Sequence, residues 1–155
     1  MMRFLLAGVA LTLTATSASA DTNVERLRQL SLAMNDKMTE TIVLKVPEAR
    51  DYIPKIEWND AIEKAAGCTM AAYEKRLGSD GIDTLLSNME ALVARTGLTF
   101  EEFNEEAMKM SPLSVDEQAA VEKSCGMGKA MTSAMMSHPS FAKFSQFMMK
   151  AMSDQ

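Results

Sequence analysis

Between Ile82 and Val93 the apolar residues fall at Ile82, Leu85, Leu86, Met89, Leu92 and Val93. Steps of three and four put all six on one side of an α-helix; a strand, whose side chains alternate faces, would scatter them. Gly97 then closes the segment. The same spacing recurs along the chain, and runs with strand alternation are scarce, so the expected class is all-α: a compact bundle of five to six helices.

The other helices follow from periodicity and punctuation. The first begins after Asp21 or Thr22 and uses Val24, Leu27, Leu30, Met34, Met38 and Ile42 before Pro47 and Pro54 break the ladder. Residues 41–46, TIVLKV, are rich in β-branched side chains and allow a short strand; a last helical turn is preferred. A second helix spans 59–77 and stops at Gly78. The fourth opens on a capping box, Thr99 with Glu102, flanked by the hydrophobic staple Leu98–Phe103. The fifth opens on another, Ser114 with Glu117, and continues to about Ser137. Pro139 ends it and leads into a sixth helix carrying Phe141, Phe144, Met148 and Met152.

The N-terminus reads as a secretory leader. Arg3 precedes an apolar run from Phe4 to Leu13, and Ala18-Ser19-Ala20 is a small-x-small cleavage signal. The expected division is residues 1–20 as signal peptide, cut between Ala20 and Asp21, and 21–155 as a single helical domain. Localisation is expected to be periplasmic or secreted, with no later run long enough for a membrane span. The formal charge is −5, and the leader holds only one cation, Arg3. An acidic chain without a basic stripe is a poor ligand for nucleic acid.

In an oxidising compartment the two cysteines, Cys68 and Cys125, read as one disulfide between two helices. Such a bridge needs Cα atoms about 5.5 Å apart, closer than ordinary helix packing allows. Small residues at Ala61, Ala65 and Ala72, and Gly126 with Gly128, suit that close approach.

Signals for catalysis are weak. His138 is the one histidine, and no zinc-protease, nucleophile-elbow or phosphate-loop motif occurs. Glu101, Glu102, Glu105 and Glu106 read as a solvated first turn, and Trp58 as a packing anchor. Methionine is the anomaly. The chain holds fifteen, two of them in the leader. Thioether sulfur suits Cu(I), and Met127, Met131 and Met135, at i, i+4 spacing, share one helix face with His138 three residues on. Extending that wheel to Val121, Cys125 and Met136 gives an apolar arc roughly 200° wide, which reads as a helix buried on most sides. Packing is therefore preferred over metal for these methionines. Phe141, Phe144, Phe147, Met148, Met149 and Met152 crowd the sixth helix and are the candidate interaction surface.

Three function classes stay open. The preferred one is a non-enzymatic exported protein binding an unidentified protein partner or a small apolar ligand, with no cofactor. The alternatives are a periplasmic Cu(I) or Ag(I) binder using the C-terminal methionines, and an enzyme of unrecognised type.

Overall fold

The structure is a computed structural model and describes residues 17–153; residues 1–16, the bulk of the expected leader, lie outside the described residues. Among the described residues the chain is helical, with no strand. The first helix, α1, runs Ser17–Lys45. It starts before the expected Asp21, since Ala18 and Ala20 are good helix formers and continue the ladder backwards. Residues 41–45 form its last turns, as preferred. Thr41 is buried there with its hydroxyl donating to the Met38 carbonyl at 2.8 Å. A 3-10 turn, Pro47–Tyr52, follows.

The next helical run, α2, spans Asp60–Ala94 and opens on Asn59, whose side chain accepts the Ile62 N–H. The expected stop at Gly78 is present as a kink with φ 68° and ψ −176°. That region of backbone space is open essentially only to glycine. Gly67, Met70 and Ala71 from one side of the kink share a cavity with Ile82 from the other, so the chain turns back at Gly78. A straight helix would hold Gly67 and Ile82 about 22 Å apart.

Helix α3, Phe100–Lys109, and α4, Val115–Cys125, both begin on complete capping boxes, Thr99 with Glu102 and Ser114 with Glu117. The staple residues Leu98 and Phe103 are both buried, Phe103 completely. The expected fifth helix is two. Gly126 takes the left-handed conformation (φ 68°, ψ 32°), which caps α4 and sends the chain into α5, Met127–Met136. The last helix, α6, is Phe141–Ser153.

Three clusters hold these elements. The largest joins Leu27 of α1, Met70, Tyr73, Leu86 and Met89 of α2, Leu113 and Val121. A second joins Ile42, Val46, Ala49 and Phe144. A third joins Leu92, Leu98 and Phe103. Met34 packs against the first and third, and Met38 against the second and third. Flexible unbranched side chains suit such junctions. Ion pairs from Arg26 to Glu90 (2.9 Å) and Asp83 (3.4 Å) fasten α1 to the second half of α2. No helix among the described residues is long and apolar enough to cross a membrane.

Candidate functional site

Cys68 of α2 and Cys125 of α4 form the expected bridge, with Cα atoms 5.5 Å apart. Cys68 is exposed and Cys125 half-buried, so the disulfide lies at the surface rather than in the core. The glycines near it act differently from expectation. Gly126 serves the left-handed turn. At Gly128, an added Cβ would lie 3.2 Å from a Glu122 carboxylate oxygen. That carboxylate folds back to accept the N–H groups of Gly128 (2.9 Å) and Lys129 (3.1 Å), satisfying orphan donors at the start of α5. Glycine at 128 leaves room for this cap, not for a partner helix.

From the bridge, α2 and α5 present two faces of small side chains to each other. Ala61, Ala65 and Cys68 recur at helical spacing on α2, and Ala130, Ser133 and Ala134 line the opposite wall on α5. Methyl and hydroxymethyl side chains reach too little to close the space between these two helices. The result is an open groove of about 530 Å³ with the disulfide in its wall. Lys64 and Lys129 also line it. Each stands four residues from its cysteine. The small residues were legible in sequence; that they would border a groove required knowing which helices face each other.

The methionine face of α5 is elsewhere. At 100° per residue it is centred roughly a third of a turn from the groove-lining positions. Met127 packs against the main cluster and lines a separate cavity with Tyr73 and Val121. Met131 and Met135 are half-buried, and Met136 is 57% exposed. No residue of α5 is fully buried, which corrects the expectation of a helix enclosed on most sides. The error came from carrying the helical wheel through Gly126. His138 lies beyond α5, in the turn to α6. Its Nδ1 lies 3.3 Å from the Ser140 N–H and 2.8 Å from the Ser140 hydroxyl. A backbone N–H only donates, so this contact uses Nδ1 as an acceptor, as in the tautomer with the ring proton on Nε2. A metal at Nε2 would have to displace that proton and undo the turn contact. Among the described residues no three His, Cys, Asp or Glu side chains gather as a metal site.

On α6, Phe144 is buried, and Phe141, Phe147 and Met148 pack against the second cluster. Tyr52 stacks on Phe147 with ring centroids 5.5 Å apart, and Lys143 donates to the Tyr52 hydroxyl at 2.7 Å. Met149 is 61% exposed. Met152 lies in the last turn by its backbone.

The acidic stretch of α3 is paired with cations and caps. Glu101 binds Lys45, Glu105 binds Lys109 at 2.7 Å, and Glu106 binds Arg95 at 2.8 Å. Glu102 accepts the Thr99 backbone N–H and hydroxyl, which hold its carboxyl below the usual range. Hydrogen bonds from Lys45 and Lys109 do the same for Glu101 and Glu105. Trp58 packs on the main cluster and donates its indole N–H to Glu63 beside the start of α2.

Comparison with known proteins finds no family model, no curated protein and no solved structure that matches this chain.

Proposed function

We propose that this chain is an exported helical binding protein that takes a small apolar ligand in the groove between α2 and α5. The observation that carries this reading is the groove itself. Its volume falls within the range of about 300–1,000 Å³ common for small-molecule sites. Alanine side chains make both walls apolar, and the covalent bridge from α2 to the end of α4 borders one end. Export is supported by the leader pattern in residues 1–20 and by a cysteine pair suited to an oxidising compartment. N-terminal sequencing of the chain recovered after export should begin at Asp21.

Binding is tested with N-phenylnaphthylamine, a neutral apolar dye whose fluorescence rises on leaving water. The oxidised parent should bind it saturably. Ala61→Gln places a longer polar side chain on an exposed wall position without changing charge, and it should remove that binding while the circular dichroism stays unchanged. Equal dye binding by parent and variant would refute the groove as the site.

A further inference from the structure

The charge of the groove points to what it holds. The chain carries 21 acidic residues against 16 basic ones, yet no carboxylate lines this groove. Its only charged lining residues are Lys64 and Lys129, one on each wall. Among the described residues neither has a carboxylate within ion-pair distance; the same holds for Lys75 and Lys123, but only Lys64 and Lys129 line one cavity together. Glu122, which approaches the backbone of Lys129, is held by the N–H groups that start α5. Two unpaired cations therefore stand on alanine-lined walls in a chain that is otherwise acidic.

Size selects the class of ligand. From Asn59 to Cys68 the α2 wall is about 14 Å long at the helical rise of 1.5 Å per residue. A protein partner at a stable interface covers about 800 Å² per side, well beyond two or three turns of groove. An alkyl chain is narrow enough to lie in such a groove.

Resting on the binding role assigned above, we propose that the groove takes a single-chain anionic amphiphile, a fatty carboxylate. The carboxylate lies between the ammonium groups of Lys64 and Lys129, and the alkyl chain runs from there past Ala61 and Ala134 toward Asn59 and Ser137.

Isothermal titration of the oxidised full chain with decanoate and with decanol tests this, since the two share a chain and differ in the head group. Decanoate should bind at one site and more tightly than decanol. The double change Lys64→Gln and Lys129→Gln should weaken decanoate about tenfold or more, as expected when a charge-assisted contact is lost, and leave decanol nearly unchanged. Both lysines are exposed, so the variant should fold as the parent does. The control Lys75→Gln with Lys123→Gln makes the same change in net charge outside the groove and should have little effect. Equal affinity for decanoate and decanol would overturn the proposal while leaving the dye-binding result standing. So would a control variant that weakens decanoate as much as the groove variant. If neither decanoate nor the dye binds, both this proposal and the binding role fall.

Discussion

Replacing both cysteines, Cys68→Ser with Cys125→Ser, should cost about 4 kcal/mol, nearly all of it through the unfolded chain. The bridge joins positions 57 apart, and the chain-entropy relation for a loop of that size gives about 4 kcal/mol at room temperature. Little native packing is at stake. Cys68 is exposed and Cys125 only half-buried, so serine removes well under about 1 kcal/mol of buried apolar surface. The loss should fall unevenly. Helix α5 has no fully buried residue, and its main neighbour is α2. Without the bridge, α5 should open before the rest of the bundle. Urea unfolding of the oxidised parent and the double-serine chain measures the total, and amide hydrogen exchange measures the distribution. The expected result is a drop of about 3–4 kcal/mol, with α5 amides losing protection first. A drop under about 1 kcal/mol, or α5 exchanging no faster than α3, would refute the reasoning.

Phe103→Ala removes a fully buried ring from the third cluster and should cost about 3–5 kcal/mol in the same unfolding assay. Gly78→Ala and Gly126→Ala face no steric contact within 4 Å, so their costs come from backbone conformation alone. Gly78→Ala should cost the more, about 1–3 kcal/mol, because its φ and ψ lie in a region nearly closed to other residues, while Gly126→Ala should cost about 1–2. Lowering the pH should weaken the fold: Glu90, Glu101, Glu102, Glu105 and Glu117 all titrate below the usual carboxylate range in the folded state. Their contribution is therefore full above the unfolded carboxylate pKa and lost as pH falls through the folded values; a thermal midpoint that does not fall on acidification would contradict this. The triple change Met127→Leu, Met131→Leu and Met135→Leu should leave the chain folded, at under about 1.5 kcal/mol per swap. Stoichiometric Cu(I) binding by the parent that this variant loses would instead assign the methionines to a metal.

What the sequence made legible was local. In each capping box, and in the Leu98–Phe103 staple, the partners lie within a few residues of each other, so their chemistry needs no tertiary context. The cysteine pair was legible because an even count in a chain that reads as exported leaves one partner for each thiol. Gly126 shows where local reading failed. A glycine within a helical pattern costs about 1 kcal/mol and is often tolerated, so the period alone does not say whether the helix continues. Here Gly126 turns left-handed, and every inference drawn from a wheel across it shifted. The groove was beyond local reading for another reason. Ala61 and Ala65 announce a close neighbour, but whether Ala130 and Ala134 meet them or leave a gap depends on how the turn at Gly126 sets α5 against α2.

The most direct measurement is the location of the bound ligand. The isotope-labelled, oxidised chain is titrated with decanoate, and its amide resonances are followed by NMR. Saturable shifts centred on Ala61, Ala65, Ala130, Ser133 and Ala134 are the expected result, with the amides of α6 unmoved. Shifts centred on Phe141, Phe147 and Met149, or none that saturate, would contradict the assignment of the α2–α5 groove as the binding site.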